Sequence, residues 1–230
     1  MNRKFFSLFC LALAVLTASL VTLARPIRGA SAASSEEFPA NDLPYDAEVE
    51  YLISTGTQFI NTHIYPKIGY EYRFDITPNT ARFGYIFGAL QNNLVTGIAQ
   101  TSDKWVLYNT TASRQVDLGL SVGTRYSFVF NQSSLFINGI PCDGVFGTSN
   151  VKAPLGVFAR LSWTGSPSMF ASNVAIHNFQ IFDGDTPVLD LQPVRFSNEE
   201  GLTEGALYDR VSGELFRNAG TGSFLIGPDK

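Results

Sequence analysis

The chain has 230 residues, a formal net charge of −4, 13% aromatic residues and 2 cysteines. That length suits a single domain with a sizeable core. The acidic balance excludes the basic footprint on which nucleic-acid binding depends and disfavours anionic membrane surfaces, leaving neutral ligands such as sugars, or protein partners, as the better fit.

In chain order, Arg3 and Lys4 open the sequence and a nearly unbroken apolar run follows from Phe5 to Ala24. Ala30-Ser31-Ala32 then supplies the small-x-small pattern of a signal-peptidase site. Residues 1–32 are expected to be a signal peptide, cleaved after Ala32 or, as second choice, after Ala24. The chain is accordingly expected to be exported, whether secreted, periplasmic or on the cell surface, with no membrane insertion after cleavage. An uncleaved anchor stays open, because such a run reaches roughly 30 Å as a helix and the basic Arg25 and Arg28 resist translocation. Removing residues 1–32 takes away four basic side chains and no acidic ones, which moves the formal charge from −4 to −8. It also removes Cys10, so Cys142 has no intramolecular disulfide partner in the mature chain. Residues 33–45 (Ser, Glu, Pro, Asn, Asp) read as a linker, and residues 46–230 as the domain.

Beyond the linker the period is two, in short runs bounded by Gly, Asn, Asp, Ser or Pro. Gly69–Ile76 sets Tyr70, Tyr72, Phe74 and Ile76 on one face and Glu71, Arg73 and Asp75 on the other. Thr124–Phe130 groups Tyr126, Phe128 and Phe130, and Leu135–Ile137 follows, closed by the turn pair Asn138-Gly139. A second hairpin joins Val174–Phe182 to Val188–Leu191 through Asp183-Gly184-Asp185. A third joins Leu207–Val211 to Glu214–Phe216 through Ser212-Gly213. Roughly a dozen strands rich in Phe and Tyr predict an all-β fold, a two-sheet antiparallel jelly-roll sandwich.

Four segments in order carry a family likeness. Glu50–Thr62 (EYLISTGTQFINT) looks like an opening strand pair and Leu207–Phe224 (LYDRVSGELFRNAGTGSF) like a C-terminal signature, with Pro154–Arg160 and Phe179–Asp185 between them. Together they resemble the concanavalin A-like/laminin G-like jelly-roll modules of exported bacterial or phage-associated proteins, over residues 48–226. The resemblance implies a β-sandwich with a concave sheet that often receives carbohydrate. The chain departs from it at Leu189, where a basic residue is more usual before Asp190.

The candidate chemistry is sparse. Glucan-cleaving enzymes on this sandwich need clustered carboxylates about 5–5.5 Å apart for retention. Asp46, Glu48 and Glu50 alternate suitably, but at the domain's edge, where a solvated strand is the natural reading. Glu71 and Asp75 share a face with Arg73 between them. His63 and His177 lack metal-ligand spacing, and His177 is expected to face outward. Asp183 and Asp185 offer two carboxylates to a structural calcium, though a hairpin turn needs the same residues.

A sugar face requires an aromatic platform with polar neighbours. Trp163, in the polar segment Leu161–Pro167, is the strongest candidate. Trp105 alternates with Leu107, which suits the core as well as a binding face. Arg160 and Asn109 are polar companions by proximity in sequence. The expectation is a non-catalytic exported recognition or adhesion module for a glycan or cell-surface protein. The alternatives are a glycoside hydrolase or lyase on the same sandwich, and a structural or assembly subunit.

Overall fold

A computed structural model describes residues 43–80, 84–100, 105–110, 113–116, 120–131, 134–142 and 150–230. The expected signal segment and most of the expected linker lie outside these residues. In chain order the strands begin with β1 (Ala47–Glu48), β2 (Leu52–Thr55), β3 (Ile60–Asn61), β4 (Tyr70–Pro78), β5 (Gly84–Gln91) and β6 (Leu94–Gln100). Then come β7 (Trp105–Thr110), β8 (Ser113–Val116), β9 (Tyr126–Phe130), β10 (Leu135–Ile137), β11 (Ile140–Cys142), β12 (Gly156–Val157) and β13 (Arg160–Ser162). The last are β14 (Pro167–Ser168), β15 (Ser172–Asp183), β16 (Thr186–Ser197), β17 (Thr203–Asp209), β18 (Leu215–Phe216) and β19 (Leu225–Ile226).

They form two sheets, a jelly-roll sandwich whose pairings are antiparallel except between β5 and β13. The large sheet runs β11-β10-β9-β4-β15-β16-β17-β18, with β2 beside β15, β19 beside β2 and β1 beside β16. The small sheet runs β14-β13-β5-β6-β7-β8, with β12 beside β5 and β3 beside β12.

The alternation in β4 is realised in the core: Tyr72, Phe74 and Ile76 are buried while Arg73 is exposed. Register brings Phe128 and Phe179 to either side of Phe74. Phe74 and Phe128 stack at 4.8 Å, and Phe87 of the small sheet meets Phe74 at 5.2 Å and Phe179 at 5.1 Å. The aromatic residues therefore join the sheets, each pair adding about 0.5–1.5 kcal/mol beyond area burial. The Asn138-Gly139 turn between β10 and β11 has φ of 51° and 76°, the doubly left-handed geometry that suits the twist of a two-residue hairpin.

Two boundaries differ from expectation. The expected opening strand pair is not a pair: β2 belongs to the large sheet and β3 to the small one, and the turn between them carries the chain across the sandwich. In the third hairpin, β17 stops at Asp209 rather than running to Val211. The buried Asp209 carboxylate accepts hydrogen bonds from the backbone N–H groups of Asp190, Val211 and Ser212 and from the Ser212 hydroxyl. Those bonds curl residues 210–213 into a turn.

Candidate functional site

The β13–β14 hairpin is built from the inside out. Leu161 is fully buried beside Phe59 and Ala159 and fixes the strand on the sandwich. Arg160 pairs with Ser168 and Leu161 with Pro167, which leaves residues 163–166 as the apex. Bonds local to the apex close it: Ser162 N–H to Ser166 O (2.9 Å), Gly165 N–H to Ser162 O (2.8 Å) and Ser166 N–H to the Ser162 hydroxyl (3.2 Å). The hydroxyls of Ser162, Thr164 and Ser166 form a chain at 2.8 and 3.0 Å. On this braced turn Trp163 is 67% exposed.

The neighbourhood of the apex is neutral and polar. Ser162 lies opposite Leu90, near the β5–β6 turn where Asn92 and Asn93 are exposed. The Asn61 amide nitrogen comes within 3.8 Å of where a Cβ on Gly165 would sit.

Arg160 lies on the outer face of the small sheet, opposite Gly88. Its Nε donates to the Ser168 hydroxyl (3.2 Å), its Nη1 to the Tyr85 hydroxyl (3.3 Å), and its guanidinium carbon is 4.9 Å from the Tyr85 ring centroid. Tyr108 stands beside Tyr85 at 5.4 Å. Burial, above all, pushes the Tyr85 phenol well above its ordinary range, with the Arg160 charge pulling the other way. It therefore stays protonated at neutral pH.

The other candidates fall elsewhere. Trp105 is a correction: at 4% exposure it belongs to the central core, 6.4 Å from Phe128, out of reach of a surface ligand. Asn109 lies in β7 opposite Thr96, and its side chain is outside the described residues. Asp183 makes a 2.5 Å ion pair with Lys67, and Asp185 is exposed in the Gly184 turn. No group of three or more His, Cys, Asp or Glu side chains that could hold a metal ion occurs among the described residues.

Two of the three carboxylates in the run at the domain edge, Asp46 and Glu48, are engaged in surface ion pairs. Glu48 meets Arg210 at 2.8 Å, while Asp46 lies 3.9 Å from Arg195 and accepts a bond from the Ser197 hydroxyl. On β4, Glu71 pairs with Arg73, which also covers the Phe182 ring, and Asp75 pairs with Arg125.

His177 is a second correction. It is 8% exposed, covered by the Tyr51 ring at 5.5 Å and next to Thr77, at the point where the β4–β15 register shifts between Ile176 and Asn178. Its Nδ1 lies 3.0 Å from the Glu50 carbonyl, which can only accept, so Nδ1 carries the proton and Nε2 accepts from the Thr77 hydroxyl at 2.9 Å. Desolvation first, then the Arg125 charge, hold its pKa below the ordinary value.

Sequence reasoning missed one polar seam. The buried Gln58 Oε1 accepts from Thr55 N–H and the Ser54 and Thr55 hydroxyls, while Nε2 donates to Thr221 O at 2.9 Å. Asn218 Oδ1 accepts from Phe59 N–H. The two end segments that carried the family likeness are thus docked on each other. A cavity of about 200 Å³ lies along this seam, lined by Glu204, Asn218 and the loop Gly220–Phe224. Its polar groups are satisfied internally, Glu204 by Asn198 and Asn218 by Gly222 O.

No family model matches the chain. No curated protein matches it either. Among solved structures it is similar to the native heptameric SAP-like pentraxin from Limulus polyphemus, at 15% identity and a TM-score of 0.43, over 60% of this chain and 76% of that one. At that level the functional reading rests on the chain's own residues.

Proposed function

We propose that this chain is an exported, non-catalytic recognition module of the concanavalin A-like/laminin G-like kind, and that it binds a glycan through the β13–β14 hairpin. The observation that carries this reading is the 67% exposure of Trp163 on an apex closed by its own hydrogen bonds. A large apolar ring held in water on a turn closed by its own hydrogen bonds is a stacking platform whose backbone is already ordered before binding. The hydroxyls of Ser162, Thr164 and Ser166 and the nearby Asn61 amide supply the donors and acceptors that sugar hydroxyls seek.

Of the carboxylates considered for catalysis, Asp46, Glu48, Glu71 and Asp75 each lie within 4.0 Å of a basic nitrogen at the surface. A glycan-array screen of the chain beside Trp163→Ala tests the proposal. Binding to at least one glycan is expected, lost in the variant while its thermal unfolding is unchanged. Absence of binding across the array, or binding indifferent to the substitution, overturns it.

A further inference from the structure

The arginines of the large sheet face carboxylates: Arg73 with Glu71, Arg125 with Asp75, Arg195 with Asp229 and Arg210 with Glu48. Arg217 lies exposed over the Phe196 ring. Arg160 is different. It is half-buried, and its partners among the described residues are neutral: the Ser168 hydroxyl and the Tyr85 hydroxyl and ring. Holding a cation partly out of water beside neutral partners is costly unless something compensates it. Because Tyr85 keeps its proton, it brings no negative charge to cancel the guanidinium.

The backbone is shaped to hold this arrangement. Tyr85 and Arg160 converge over Gly88, where an added Cβ would lie 2.8 Å from the Tyr85 ring and 3.3 Å from Arg160 Cβ and Cγ. Any larger residue there would drive the ring and the arginine stem apart. Nε spends its hydrogen on Ser168 and Nη1 one of its two on Tyr85. The remaining hydrogens of Nη1 and Nη2 form a planar fork, the geometry that receives a carboxylate through two parallel bonds.

Arg160 in β13 and Trp163 at its apex stand on the same hairpin, three residues apart in sequence, a backbone span of at most roughly 10 Å. We propose that the ligand is a carboxylate-bearing oligosaccharide, its carboxylate on the Arg160 fork and a neighbouring ring on Trp163. This deepens the glycan-binding reading above and rests on it. The chain is otherwise acidic, so attraction for an acidic sugar must come from a local, oriented cation working against the overall field.

The test is direct binding of the full chain to oligosaccharides containing hexuronate or sialate, each set against its carboxyl methyl ester. The expected result is binding of at least one acid, with the ester at least tenfold weaker. Arg160→Gln should lose the same tenfold or more. Arg160→Lys should recover only part, since it restores the charge without the fork. Esters that bind as well as acids, or an Arg160→Gln variant with unchanged affinity, overturn the inference. If Arg160→Gln does not fold, Tyr85→Phe decides instead: it keeps the ring, frees the fork from its orienting bond and should weaken acid binding several-fold without touching the ester. Binding of neutral sugars alone, dependent on Trp163, defeats this inference and leaves the proposed function standing. No saccharide binding at all defeats both.

Discussion

Two loops of similar composition end in opposite environments. Residues 217–224 (RNAGTGSF) and 160–168 (RLSWTGSPS) both mix an arginine with Gly, Ser and Thr around one aromatic residue. In the first, Thr221 O accepts from Thr57 and Gln58, bonds that span 164 and 163 residues of sequence, and Phe224 is 4% exposed against Phe158. In the second, the apex bonds stay within residues 162–166 and its aromatic residue faces water. The first loop fastens the end of the chain to its beginning. The second closes on itself and leaves its aromatic surface in water, which is the surface the proposed binding would use. Long-range partners, not composition, separate a fastening from a platform.

That contrast sets the order of expected effects. Phe224→Ala should cost about 3–5 kcal/mol of unfolding free energy in a urea titration, as for other large aromatic truncations in a core. A cost below about 1 kcal/mol would mean that the first loop is not a fastening. Gln58→Ala should cost about 0.5–1.5 kcal/mol for each hydrogen bond it removes, chiefly those from Thr55 N–H and to Thr221 O, the latter keeping its bond from Thr57. An effect within error would show that the seam closes without its glutamine.

His177 gives a smaller, pH-dependent effect. Its pKa is lowered on folding, so its contribution is fully present above its ordinary value of about 6.5 and is lost as pH falls through the folded value. The melting temperature should therefore drop as pH goes from about 7 to 5, and less steeply in His177→Gln, whose amide can still donate to Glu50 O and accept from Thr77. Equal slopes would contradict the buried, neutral imidazole. Least of all, Trp163→Ala should change stability by no more than about 0.5 kcal/mol.

Much of the fold is legible in the sequence because period-two patterns and turn dipeptides are local. Tyr72, Phe74 and Ile76 fall on the core face, and Asn138-Gly139 makes its hairpin. What escapes is whatever depends on a distant partner. Alternation tells which way a side chain points, not which sheet its strand joins, so β2 and β3 look like neighbours and are not. The burial of His177 is equally silent, because the Tyr51 ring and Glu50 carbonyl that cover it lie more than 120 residues away in sequence. For the candidate site, Trp163 is legible because Gly, Ser and Pro around it give the ring no packing partner. Trp105 shows the limit of the same reasoning: its alternation with Leu107 fits both outcomes, and burial decides for the core. Arg160 is found by proximity alone, while its relation to Tyr85 appears only when β5 and β13 lie side by side.

The most direct measurement of the central claim uses the two tryptophans as they stand. Acrylamide quenching of the full chain should resolve a shielded fluorophore, Trp105, and an accessible one, Trp163, consistent with their 4% and 67% exposure. With a saturating oligosaccharide that the array identifies as bound, the accessible fraction should become shielded. An accessible fraction that stays fully quenchable while the saccharide is bound would place the ligand elsewhere and contradict the account.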